Sequence, residues 1–351
     1  PAYRALRGFI ATEYLPATRT TAGMSALPGG QAWYAQVLAQ STATDLPPMR
    51  LHAWAAQRVQ GLDAQIATVM KEQRIRGNQA KLLRSLREDR RYQFSDANAL
   101  LGRYRQVQKD VAARLPAVLD TLPAAPLEIQ PVDADRAMNS PAVSYQAAPA
   151  AGRAAVLSVN TNDLPSRRRW SVPMQYLHEG VPGHHVQLGL QHALESLPRF
   201  RRQGGDAAFV EGWGLYAESL GDELGVYADP YDRIGYLHAA LVRAARVVAD
   251  TGLHADNWSK QRAVTYLQDA AGMAPTDAVA EVERMMAQPG QALSNVLGEA
   301  RIVQLRDRAR QVQGPAFDIR RFHAELLKDG SMPLDILDAK ITRWLQQPAT
   351  P

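Results

Sequence analysis

Cysteine is absent from the 351 residues, which excludes disulfides, thiolate zinc fingers, iron–sulfur clusters and cysteine nucleophiles. Lysine is scarce. Lys71, Lys81, Lys109, Lys260, Lys328 and Lys340 are the whole set, so nearly all the positive charge is arginine, the residue suited to fixed ion pairs and anion contacts. Long apolar runs are missing as well: none approaches the ~18–20 residues of a membrane span, and Pro1 to Phe9 holds two arginines without the apolar core of a signal peptide. The chain opens on Pro1 and not on Met, so a targeting segment is expected outside this stretch. Charge of one sign is not dominant either. Forty Lys and Arg against 35 Asp and Glu leave a net +5, far short of the clustered field of a nucleic-acid binder, and no nucleic-acid partner is expected. The short basic clusters at Arg167-Arg168-Arg169 and Arg199-Phe200-Arg201-Arg202 read as solvated faces. What is present is a folding composition, with 46% hydrophobic and 21% charged residues. At roughly 150 residues per domain the length calls for one large or two modest domains.

Apolar residues at Leu51, Ala55, Val59, Leu62, Ile66 and Val69 recur in steps of three and four, which is the stripe of a helix. A second stripe runs through Leu100, Tyr104, Val107, Val111, Leu115 and Val118, with Ser95 as its expected N-cap. Between Pro116 and Ser166 the character changes. Prolines and alanines accumulate, and Leu127-Glu128-Ile129, Val143-Ser144-Tyr145 and Ala155–Val159 read as strands between turns. After Trp170 the pattern is helical again. The expected fold is therefore mainly α, one large helical domain with a small β element next to the histidine-rich segment. Its expected parts are an N-terminal helical part over 1–115, continuous with the rest, a strand and loop element over 116–169, and a helical metal-binding part over 170–351.

Three of the eight histidines fall in His178-Glu179-Gly180-Val181-Pro182-Gly183-His184-His185. Imidazole is the commonest transition-metal ligand, and a carboxylate beside the first histidine has the place of the general base in zinc hydrolases built on HExxH. The spacing here is different, because Pro182 stands where the second histidine of that motif would be. On an ideal helix of about 100° per residue His185 returns to the face of His178 but roughly 10.5 Å further on, and His184 faces away. Pro182 and Gly183 forbid that helix. A two-residue bulge there would bring His184 round, so the second ligand is His184 or His185. A catalytic zinc takes three protein ligands and keeps one position open. The helical segment Phe209 to Glu218 offers Glu211 as the third ligand, and Glu218, or Asp222 one turn on, as a hydrogen-bond acceptor for a ligating histidine.

These segments carry a resemblance. HEGVPGHHVQ, FVEGWGLYAESLGDELGVYADP, LVRAARVVADTGLHADNW and PGQALSNVLG resemble the bacterial domain of unknown function 885 family, whose members look like gluzincin-type zinc peptidases. The likeness runs from GFIATEYLPATRTTAGMSALPGGQAWY to FHAELLKDGSMPLDIL. It implies a largely helical fold, a Zn2+ ion held by His178, His184 and Glu211, Glu179 as base, a peptide substrate, and a periplasmic or secreted location, since many members carry secretion or lipoprotein signals. Members are longer, with an N-terminal helical half not present in this sequence, and usually have Tyr where this chain has Asn295. The expected activity is a zinc-dependent peptidase; the alternative is a catalytically silent metal-binding interaction protein.

An oxyanion donor is expected among His254, Tyr236 and Tyr266, of which His254 lies in a matching segment. Arg243 and Arg246 sit in an otherwise apolar helix, Leu237 to Val248. Bare charges are costly there, so each should meet an anion, either an internal carboxylate such as Glu218 or Asp222 or the carboxylate of a substrate. The strand Ala155–Val159 is expected to offer an edge to an extended peptide. His52, His192, His238 and His323 read as structural.

Overall fold

The structure is a computed structural model that describes residues 1–42, 44–150 and 152–347. It is mainly α, with one small sheet. The helices that matter for the site are α1 (Gly30–Thr42), α2 (Pro48–Glu72), α3 (Ala97–Arg114), α4 (Val172–Glu179), α5 (His184–His192), α6 (Ala207–Ser219), α7 (Pro230–Ala255), α8 (Lys260–Ala271), α9 (Pro275–Ala287), α10 (Gln291–Gln313), α11 (Ile319–Leu327) and α12 (Leu334–Leu345). No described helix is long and apolar enough to cross a membrane.

The stripe in α2 folds as its periodicity predicts: Leu51, Ala55, Leu62, Ile66 and Val69 are buried along α7, with Pro48 in the first turn, where a missing N–H costs nothing. In α3 the cap is one residue later than the sequence suggests. Asp96, with extended backbone, accepts the N–H of Ala99 at 2.8 Å, while the Ser95 hydroxyl is spent on the Asp96 carboxylate.

All three expected strands form, as β1 (Leu127–Pro131), β2 (Val143–Gln146) and β3 (Ala155–Val159). Their order is β1-β3-β2, with β3 parallel to β1 and antiparallel to β2. This corrects the expectation that β3 is a free edge, because hydrogen bonds on both of its sides are taken. The free edges belong to β1 and β2. Of the two, β2 is the one that touches α4, through the N–H of Tyr145.

The backbones of α6 and α10 nearly touch. A Cβ on Gly212 would lie 2.5 Å from the carbonyl carbon of Gly298, and one on Gly298 would lie 1.8 Å from the carbonyl oxygen of Ala208. Only glycine permits that approach, and it brings Asn295 of α10 alongside Glu211 of α6. A hydrophobic core built on Trp213, Phe209, Tyr216, Leu177, Phe322 and Ile341 closes around this pair of helices and takes in α3, the sheet, α11 and α12.

Candidate metal centre

The centre is assembled at a break in the chain. α4 ends at Glu179, and residues 180–183 turn back so that α5 can start at His184. There is no bulge within a continuous helix; the helix stops and restarts. The buried Trp213 indole of α6 holds that turn, donating to the carbonyls of Pro182 at 2.9 Å and Gly183 at 3.2 Å. His184 then meets His178 edge to face, ring centroids 4.7 Å apart. Its neighbour His185, about 100° further round α5, is turned away, with Nδ1 3.4 Å from the Tyr145 hydroxyl. Of the two histidines left open by the sequence, it is His184 that the fold brings to His178.

His178, His184 and Glu211 form a group that could hold a metal ion, with one ligand atom from each all within 4.8 Å of one another. Glu211 Oε2 lies 3.6 Å from His178 Nε2, and Oε1 lies 3.8 Å from His184 Nε2. Ligands about 2.0–2.1 Å from a tetrahedral ion lie about 3.3 Å from each other, so the three need only small movements to close on one. His178 Nδ1 is 2.8 Å from Glu218 Oε1, and that contact holds the proton on Nδ1 and leaves Nε2, which faces Glu211, as the atom that would meet a metal on giving up its own proton. Glu218 is 1% exposed on its side chain and is clamped by two hydrogen bonds from Arg243, at 2.7 and 2.8 Å. Arg243, Glu218 and His178 therefore form one buried relay that ends on a ligand atom. Gly214 makes room for it, since a Cβ there would lie 2.6 Å from His178 Cε1.

The charges around the two imidazoles differ. Burial works against a charged His178, but its hydrogen bonds to Glu211 and Glu218 outweigh it and lift the pKa to about 9. Burial, reinforced by that neighbouring charge, pushes His184 down to about 4. Burial also raises the carboxyl of Glu179, against the pull of His178 and of the Tyr145 N–H that it accepts at 2.9 Å.

The chain matches, over residues 1–341, a family described as "Bacterial protein of unknown function (DUF885)". It belongs to the DUF885 family. Among solved structures, a protein of Colwellia psychrerythraea described as a "putative lipoprotein" shares 31% identity and a TM-score of 0.90, over 98% of this chain and 60% of that one. A "putative lipoprotein of unknown function" of Shewanella oneidensis shares 20% identity and a TM-score of 0.76, over 98% and 63%; this second likeness concerns the fold. The DUF885 chain thus spans about 60% of the length of the structures it matches. A search among curated proteins returns no match.

The other expected site residues go to different places. Arg243 meets Glu218, whereas Arg246 meets Glu281 at 2.9 Å and neither Glu218 nor Asp222. Asp222 does not support a histidine; it lies at the surface 3.1 Å from Arg233. His254 is fully buried, with Nδ1 accepting the N–H of Met24 and Nε2 donating to the carbonyl of Met285, both at 3.1 Å. With both nitrogens engaged by backbone it has none to offer an oxyanion, which corrects its expected role. Tyr266 lies edge-on to Trp258 at 5.4 Å, and Tyr236 stacks on Tyr227 at 5.1 Å. His52, His238 and His323 bond to Thr251, the Ala271 carbonyl and the Tyr216 hydroxyl. Trp213 and Gly214 escaped the sequence reading, although the Gly-Trp-Gly spacing of a large residue between two small ones on a helix was the available signal. Asn295, at the position where the resemblance implies a Tyr in other members, donates to Glu211 Oε2 at 3.4 Å.

Proposed function

We propose that this chain is a zinc-dependent hydrolase that cleaves peptide bonds with Glu179 as general base. The observation that carries the reading is the placement of Glu179: it follows a ligand-forming histidine without joining the ligand group, it is half-buried, and burial raises its carboxyl above its ordinary value, which makes it the stronger base. A zinc ion held by His178, His184 and Glu211 supplies Lewis acidity that makes a nucleophile of water at neutral pH. Glu179 accepts the proton of the attacking water and returns it to the leaving amine. Tyr145, through its N–H, fixes one carboxylate oxygen of Glu179 and leaves the other for that exchange. The outer edge of β2, from which that N–H projects, gives an extended peptide a place to lie beside the base. An envelope location belongs to this reading, in keeping with the lipoprotein descriptions of the two solved relatives.

The test is a peptide-library digest by the zinc-supplemented chain, with and without chelator. Glu179→Gln is expected to keep its metal and lose turnover by a factor of about 10²–10⁴. Cleavage that survives chelation or the substitution contradicts the proposal. Stoichiometric zinc with no peptide cleaved supports the second reading, a metal-binding interaction protein, to which the Asn295 amide against Glu211 also lends weight.

A further inference from the structure

A cavity of about 300 Å³, at the lower end of the usual range for ligand pockets, adjoins the metal centre through Asn295, which donates to Glu211, and Arg243, which holds Glu218. Its walls come from α7, α9 and α10, with Arg243, Arg246, Arg284, Gln291 and Asn295 as the polar lining, and no carboxylate lines it. Glu218 is taken by Arg243, and a single carboxylate, Glu281, is shared between Arg246 and Arg284. These are not solvated surface charges, because the three arginine side chains are only 25%, 33% and 34% exposed. Arg246 is the least satisfied of them: it donates from Nη2 to Glu281, and its buried Nε has no hydrogen-bond partner. A guanidinium with an unpaired N–H, sharing its carboxylate with a second guanidinium, is suited to a further carboxylate.

The cavity is joined to the metal centre by two short links. Arg243 bonds the carboxylate that holds His178, and Asn295 bonds the carboxylate of Glu211. A molecule spanning both would place an anionic group among the arginines and an uncharged, cleavable group at the ligand triad. We propose that this cavity is the subsite for a carboxylate of the substrate, and that the carboxylate is the peptide C-terminus, so that cleavage proceeds from the free carboxyl end. This rests on the peptidase reading above, yet the subsite can be tested separately by binding alone.

The measurement is isothermal titration calorimetry on the zinc-supplemented chain carrying Glu179→Gln, so that no probe is consumed. The probes are N-acetyl-trialanine as free acid and as amide, together with the amides of N-acetyl-Ala-Glu-Ala and N-acetyl-Ala-Gln-Ala. The free acid is expected to bind at least about tenfold more tightly than its amide. That preference is expected to fall within about twofold when Arg246→Gln is added, because Arg284 still pairs Glu281 and the fold is spared. Gln291→Glu, at an exposed position of the lining, is the second variant and should abolish the preference by repulsion. Equal affinity for acid and amide, no binding of either, or a preference that survives both variants overturns the proposal. A preference for the internal Glu peptide over its Gln counterpart, with none for the terminal acid, overturns the C-terminal assignment and gives the pocket to an acidic side chain. Acid preference without cleavage of any peptide by the unmodified chain keeps the subsite and removes the peptidase reading; cleavage without acid preference does the reverse.

Discussion

Two places along α7 use similar residues to opposite ends. Midway along the helix, Arg243 holds Glu218 and Glu218 holds His178, and the relay ends on an imidazole nitrogen that faces a second imidazole and the carboxylate of Glu211, itself 37% exposed. Towards the C-terminal end, Asp250 accepts the Tyr34 hydroxyl at 2.6 Å and the Gly290 N–H at 3.0 Å, and His254 is closed off between Met24 and Met285. There Asp250 and His254 tie α7 to neighbouring segments. A buried histidine is thus read by its second nitrogen. Where both nitrogens meet backbone the residue is a rivet, and where one meets other ligand-forming groups the residue belongs to a site.

The largest effect that separates the two places is expected from Arg243→Ala. It leaves the Glu218 carboxylate buried without its cation, which should cost about 3–5 kcal/mol of stability in a denaturant titration. By freeing His178 to rotate it should also weaken zinc about 10–100-fold in a competition titration with a chelator. A loss of stability with unchanged zinc affinity would mean that the relay does not reach the metal.

His254→Ala should behave differently. Two backbone groups, the Met24 N–H and the Met285 carbonyl, lose their partner, which costs about 1–3 kcal/mol each when such groups stay unpaired. Zinc affinity is expected to stay within about twofold of the parent chain. A tenfold loss of zinc would undo the division of α7 into a bracing end and a site end.

A smaller effect appears with pH. Burial raises the Asp250 carboxyl from 3.8 to about 7, so the folded chain binds that proton more tightly than the unfolded one. The favourable contribution is complete below about pH 4 and is lost as pH rises to about 7. The melting temperature of the parent chain, compared with that of Asp250→Asn, should drop further between pH 5 and pH 8, by a few degrees. The comparison between the two is needed because the buried histidines His254 and His323, both held near 4, shift the curve in the other direction. Parallel curves for the two chains would show that Asp250 stays ionised throughout.

Much of this architecture was legible in the sequence, for identifiable reasons. The α2 stripe and the three strands are local patterns, and they form where periodicity and turn residues place them. The order of the strands is set by pairing across the chain, so nothing local in Ala155–Val159 announced that it would be the central strand. His178 and Glu211 could be named from residue type and spacing. The choice of His184 over His185 depended on how the chain turns at residues 180–183, and that turn is fixed from another helix by Trp213. His254 failed as a donor for a related reason: its two backbone partners come from residues 24 and 285, far away in sequence. The cost of a bare charge called for an anion beside Arg243, with Glu218 as one of the candidates, while Arg246 found Glu281, an acceptor on a helix that no local pattern brings near.

Anomalous diffraction at the zinc edge from crystals of the zinc-supplemented chain tests most directly whether His178, His184 and Glu211 hold a metal. One strong peak is expected about 2.0–2.2 Å from His178 Nε2, His184 Nε2 and a Glu211 carboxylate oxygen, with Glu179 outside the coordination sphere. No peak among these three residues, or a peak ligated by His185 in place of His184, would contradict it.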